Sequence, residues 1–329
     1  MHAIEVNETG GPDVLRYVDK PQPQPGHGDL RIEAEAIGVN FIDTYFRSGQ
    51  YPRELPFVIG SEVCGTVVAT GPAATAADTG GIVVGDRVVS ASANGSYAEF
   101  CIAPASLTAK VPDGITSEVA ASALLKGLTA HYLLKSVYQV QRGDSVLVHA
   151  GAGGVGLILT QWATHLGVRV ITTVSTPEKA KLSRDAGAIE VLDYPEDTWQ
   201  FAGKIRELTG GAGVQAVYDG VGATTFDASL ASLAVRGTLA LFGAASGPVP
   251  PLDPQRLNAA GSVYLTRPSL FHFIRTGAEF SWRAAELFDA IGSGVVTVAV
   301  GGRYPLADAA RAHQDLEARK TTGSVVLLP

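Results

Sequence analysis

Apolar and polar positions change their period twice along the chain. Up to about residue 125, short β-type runs at 30–34, 65–69 and 87–89 are separated by turn signals: Pro21 to Gly28, Gly71-Pro72, Gly80-Gly81 and Asn94-Gly95. This pattern predicts a mainly antiparallel β domain with irregular connections. From about 127 to 265 strands alternate with helices: strand 145–150, helix 154–166, strand 168–174, then a helix that Thr176 caps and Pro177 opens and that runs to Gly187. Further strands at 189–192, 214–218 and 238–242, with helical segments near 197–208 and 224–234, imply right-handed βαβ crossovers and a parallel sheet. The tail from about 268 carries helices near 284–291 and 307–317 and strands at 295–300 and 324–328.

Composition narrows the classes. The 329 residues, 46% apolar and 17% charged, are enough for two domains with buried cores. A formal charge of −7 disfavours a grip on nucleic acid or an anionic membrane. No stretch approaches the ~18 apolar residues of a membrane span, and the amino terminus lacks the basic and apolar regions of a secretory signal. Cys64 and Cys101, with no C-x-x-C pairing, exclude a disulfide framework or a four-cysteine zinc lobe and make the cytoplasm the default compartment. Glycine, 38 residues, is in excess without any repeat, so the glycines answer to particular backbone positions.

One group of them carries chemistry. Gly151, Gly153 and Gly156, with Gly154 and Val155 between, follow a strand and open a helix, which is the context G-x-G-x-x-G needs to bind a dinucleotide. The first glycine allows the turn, the second lets the backbone approach a pyrophosphate, and the third lets helix and strand pack. The end of the second strand reads Thr172-Thr173-Val174-Ser175-Thr176, with no acid for a ribose 2′-hydroxyl. Ser175 and Lys179 suit a 2′-phosphate instead, which favours NADP(H) over NAD(H); Glu178 is the nearest acid.

Asn40 to Tyr45, Arg47-Ser48-Gly49, Tyr51-Pro52 and Gly60-Ser61-Glu62 resemble the zinc-independent quinone oxidoreductase (ζ-crystallin-like) branch of the medium-chain dehydrogenase/reductase superfamily. So do Lys126 to Ala130, His149 to Gly156, Tyr218 to Gly222, Thr266 to Leu270 and Leu316 to Arg319 with Thr322-Gly323. The likeness covers the whole chain and is greatest to bacterial NADPH:quinone reductases. It implies an α/β architecture: a discontinuous GroES-like β domain (1–125 and 268–329) and a Rossmann domain with a six-stranded doubly wound parallel sheet (126–267), with cofactor in the cleft between them. Zinc relatives carry Cys near Asn40 or Phe41 and His within G-H-E; Asn40 and Gly60-Ser61-Glu62 here imply that both zinc sites are absent.

The resemblance also implies contacts. Asn40, Phe41 and Ile42 border the nicotinamide, Gly154 and Val155 meet the pyrophosphate, and Ser175 and Lys179 the 2′-phosphate. Tyr194 lies near the adenosine, Phe242-Gly243, Ser269-Leu270 and Arg319 close over the cofactor, and Lys126 and Tyr132 are additional contacts. The expected activity is hydride transfer from NADPH to a quinone without metal, by a homodimer. Such transfer needs positioning and stabilisation of a developing oxyanion; Tyr45 and Tyr51 are the candidates to line that pocket. His131, His149 and His165 read as satisfying local hydrogen bonds. An enone or 2-alkenal reductase is the enzymatic alternative, and an NADPH-binding structural or RNA-associated protein the non-enzymatic one.

Overall fold

In the structure, a computed structural model that describes residues 1–72 and 79–329, the chain divides into two compact units. One comprises Met1–Lys126, Ile274–Gly292 and Val298–Pro329, the other Gly127–Phe273 and Ser293–Thr297. The elements in chain order are β1 (His2–Val6), β2 (Leu15–Asp19), β3 (Asp29–Val39), α1 (Phe41–Ser48), β4 (Phe57–Val58), β5 (Glu62–Thr70), β6 (Arg87–Ser90), β7 (Phe100–Pro104), β8 (Thr108–Lys110) and α2 (Ser117–Tyr132). Then follow β9 (Ser145–Val148), α3 (Gly154–His165), β10 (Arg169–Val174), α4 (Pro177–Asp185), β11 (Glu190–Asp193), α5 (Thr198–Leu208), β12 (Val214–Asp219), α6 (Phe226–Ala231), β13 (Leu233–Leu241), α7 (Gln255–Ala259), β14 (Tyr264–Thr266) and α8 (Leu270–Phe273). The tail supplies α9 (Gly277–Gly292), β15 (Val300–Pro305), α10 (Ala309–Glu317) and β16 (Ser324–Leu328).

The second unit holds a six-stranded sheet in the order β11-β10-β9-β12-β13-β14, with every pairing parallel. The order reverses between β9 and β12, so the carboxyl ends of these two strands flank the crevice where doubly wound sheets bind ligands. Ile171, Val214, Val217, Phe226 and Leu239 are among the residues of its apolar core. The Rossmann expectation is therefore met.

The first unit is built on β15-β16-β3-β5-β6-β8, with β7 also paired to β3, and a smaller sheet β2-β1-β4. All its pairings are antiparallel except β15 with β16. Its core runs from Ile4, Leu30 and Val67 to Leu306, Ala312 and Leu327, so the tail completes a core that the amino-terminal segment began.

Local signals mark several boundaries. Thr176 accepts the Lys179 N–H, Pro177 opens α4, and Gly187 beyond it takes φ +105°. Three expectations need correction. The strand expected at 295–300 begins only at Val300, because its ladder partner starts at Ser324. The helix expected at 224–234 ends at Ala231, and β13 begins at Leu233 to pair with Val214. Helices α1 and α2 lie where β structure was expected: α1 is amphipathic but only eight residues long, and α2 has an apolar run without a clear face.

Candidate active site

The Gly-rich loop leaves β9 and turns at once. Ala150 takes φ +56°, its carbonyl accepts the Gly153 N–H at 2.9 Å, and Gly151 donates to the Thr173 carbonyl at 2.9 Å. A methyl group at Gly151 would lie 2.5 Å from Thr172 Cβ, and one at Gly156 would lie 2.3 Å from the Ala150 oxygen. Gly153, the N-cap of α3, has no side chain to cap the first N–H groups of that helix. The amides of Gly154, Val155 and Gly156 thus lack intrahelical acceptors and sit at the positive end of the helix dipole. This cradle fits a diphosphate.

Behind the loop lies a buried polar chain with one consistent set of proton directions. Asp219, at the end of β12, accepts the N–H groups of Val221 and Gly222 at 2.8 and 3.0 Å and the hydroxyls of Thr225 and Ser229. Ser229 spends its proton on Asp219, so its oxygen accepts from His149 Nε2 at 2.9 Å, and His149 Nδ1 accepts from Thr173 Oγ1 at 2.8 Å. Burial holds the imidazole below its usual range against the pull of Asp219. His149 therefore ties the ends of β9, β10 and β12 together as a neutral ring, the role expected of it. Tyr194 stacks on it at 6.4 Å.

Ser175 stands exposed directly after β10, and Lys179 lies one turn into α4. Glu178 is turned onto its own backbone N–H and the Thr176 hydroxyl, which hold its carboxyl below the ordinary range. At the far side of the crevice, Phe242 and Gly243 follow β13; a Cβ on Gly243 would be 2.3 Å from the Gly220 oxygen. Tyr132 stacks on Phe273 at 4.5 Å, and Ser269-Leu270 lead into α8.

In the first unit, Asn40 is the N-cap of α1, in a reciprocal box with Asp43. Its side chain is buried, donating to Glu62 Oε2 at 2.8 Å and accepting from Lys126 Nζ at 2.8 Å. Phe41 and Ile42 follow on the first turn, half-buried. Tyr45 and Tyr51 meet edge to face at 5.2 Å. Arg319, after α10, takes φ +57°.

Sequence reasoning missed a second buried relay here. The Asn40 N–H donates to Asp43 Oδ2 at 2.8 Å, and the Tyr97 hydroxyl donates to the same oxygen at 3.0 Å. Tyr97 accepts from His313 Nε2 at 3.0 Å, while His313 Nδ1 accepts from Arg47, which can only donate. Arg47 is anchored by two bonds to Glu317, at 2.7 and 3.0 Å, and by the Gly10 carbonyl. Burial raises the Asp43 carboxyl to about 7, despite the Asn40 N–H, Tyr97 and Lys126. Burial and then Arg47 lower His313 to about 3. The only sequence signal was the Asn40/Asp43 capping spacing; His313 and Arg47 are 266 residues apart.

Comparison with known proteins agrees with this geometry. Residues 26–113 match the family model of the alcohol dehydrogenase GroES-like domain, and residues 154–290 that of the zinc-binding dehydrogenases. A quinone oxidoreductase of Pseudomonas aeruginosa is 46% identical over 99% of both chains. A mycobacterial protein solved in complex with NADPH is 88% identical, covers 100% of both chains and superposes with a TM-score of 0.99. For the quinone oxidoreductase of Escherichia coli, also solved with NADPH, the values are 43%, 100% and 0.95. The residues present do not fit the zinc that one family description names. Among the described residues no group of three or more His, Cys, Asp or Glu could hold a metal. Cys64 and Cys101 are buried with thiols pushed up to about 12 by that burial, and Asn40 is bonded to an ammonium, which repels a cation. With both structural units matched and full-length relatives above 40% identity, this chain belongs to the quinone oxidoreductase family of the medium-chain dehydrogenase/reductase superfamily.

Proposed function

We propose that this protein reduces quinones with NADPH. The observation that carries the reading is the open glycine cradle at the end of β9, together with a β10 terminus that offers Ser175 and Lys179 but no acid. Gly151, Gly153 and Gly156 shape the cradle, Gly154 and Val155 donate to the pyrophosphate, and Ser175 and Lys179 bind the 2′-phosphate. Tyr194 flanks the adenosine; Phe242, Gly243, Ser269, Leu270, Tyr132 and Arg319 close over the cofactor. Asn40, Phe41, Ile42 and Lys126 border its nicotinamide end. When bound, NADPH supplies the hydride, and the chain's task is to position an acceptor and meet the charge that develops on it. Tyr45 and Tyr51 line the acceptor pocket.

The test is cofactor preference. Wild-type protein turns over with NADPH at least about 100-fold more efficiently than with NADH, and Lys179→Glu removes most of that margin by setting a carboxylate against the phosphate. A wild-type preference for NADH overturns the assignment. Benzoquinone-type acceptors exceed 2-alkenals in kcat/KM; the reverse order makes the protein an enone reductase.

Arg319 gives a second test. A left-handed arginine costs about 1 kcal/mol, and such strain collects at binding sites. Arg319→Gly therefore raises unfolding stability by about 1 kcal/mol while weakening NADPH binding about tenfold, read by urea titration and NADPH fluorescence. Unchanged affinity removes Arg319 from the site.

We place the protein in a reducing cytoplasm, consistent with two buried, unbridged cysteines, and as a homodimer. β14 is a sheet edge, with Tyr264 62% exposed upon it and Val235 74% exposed at the start of neighbouring β13. Sedimentation at micromolar concentration tests this.

A further inference from the structure

Glu62 is fully buried on β5, outside every role assigned above. Its Oε1 accepts the Leu125 N–H at 2.8 Å, and its Oε2 accepts Asn40 Nδ2 at 2.8 Å and Lys126 Nζ at 3.3 Å. Lys126 also donates to Asn40 Oδ1, so the three side chains close a ring. Room for the carboxylate comes from its cross-strand partner on β3: a Cβ on Gly38 would stand 2.2 Å from Glu62 Oε2. Two of the three ammonium protons of Lys126 are spent inside the ring, and the third has no acceptor among the described residues.

We propose that Glu62 is the positioning residue that orients the Lys126 ammonium and fixes the Asn40 amide, and that the third Lys126 N–H stabilises the acceptor oxyanion. The inference rests on the NADPH:quinone reading for the identity of that acceptor. Hydride from NADPH carries two electrons and a proton to the quinone, leaving NADP⁺ and a hydroquinone monoanion. The ammonium meets that anion, and water supplies the second proton.

Glu62→Gln keeps the shape and removes the charge. With NADPH saturating, kcat for benzoquinone falls about 10- to 100-fold. NADPH affinity, read by fluorescence, stays within about threefold. In the presence of NADP⁺ alone, 4-nitrophenol binds wild type as the coloured phenolate, binds Glu62→Gln at least about tenfold more weakly, and shows no phenolate band with Lys126→Met. The proposal is overturned if Glu62→Gln keeps the wild-type kcat and phenolate binding. It is equally overturned if activity falls only with the folded fraction, seen by circular dichroism, while phenolate binding per folded molecule stays as in wild type. Wild-type phenolate binding that depends on Glu62 and Lys126, without quinone turnover, upholds the positioning role and refutes quinone as the acceptor.

Discussion

Gly156→Ala lowers NADPH affinity at least about 100-fold and destabilises the protein by about 3 kcal/mol. The new methyl group would sit 2.3 Å from the Ala150 oxygen and 3.0 Å from Gly151 Cα. Neither can step aside: the Ala150 carbonyl already closes the turn by accepting the Gly153 N–H, and Ala150 itself holds φ +56°. Helix α3 must lift away from β9, and the amides of Gly154 and Val155 leave the cradle together. Gly153→Ala is the internal control, since its methyl group meets the same oxygen at 3.3 Å, within reach of a small adjustment. It folds with a loss under about 1 kcal/mol, yet the methyl stands on the surface that a pyrophosphate must approach, and affinity drops about tenfold. Urea titration and NADPH fluorescence separate the two effects. A Gly156→Ala protein that binds like wild type refutes the cradle as the cofactor site.

Asp43→Asn makes stability fall more steeply on acidification than it does in the wild type. Asp43 titrates at about 7 in the fold against an ordinary 3.8, so the folded state holds the extra proton, on an Oδ1 that has no hydrogen-bond partner among the described residues, and its stabilisation is lost as pH rises through 7. His313 titrates at about 3 against 6.5, so the unfolded chain binds the extra proton and stability is lost as pH falls below 6.5. Between those limits the two contributions oppose each other with similar size. Asparagine removes the first and leaves the second. Relative to wild type, the variant becomes about 2 kcal/mol less stable at pH ~5 than at pH ~7.5. His313→Gln tilts the other way, by about the same amount. Parallel curves for wild type and both variants would show that the relay does not titrate as a unit.

The two buried relays differ in how far the sequence announces them. The loop from Gly151 to Gly156 and the acid-free end of β10 are local: a few consecutive residues carry both the turn geometry and the anion chemistry. His149 and Asp219 each sit in a readable motif, but their link through Ser229 depends on two strands lying side by side. The Arg47–His313–Tyr97–Asp43 relay left no trace beyond the capping spacing, because its members meet only when α10 packs back onto the amino-terminal core.

From sequence alone came the alternation of strands and helices, the dinucleotide loop, the preference for a 2′-phosphate and the kinship with quinone reductases. Period, turn chemistry and motif spacing are properties of neighbours along the chain, so they are written there. Tertiary structure decided which buried charges face one another. Glu62 reads in the sequence as the last letter of Gly60-Ser61-Glu62, and only the pairing of β5 with β3 opposite Gly38 brings it to Asn40 and Lys126. Such a cluster is stable because each charge is desolvated beside its own partner, and that complementarity exists only once distant segments share one core.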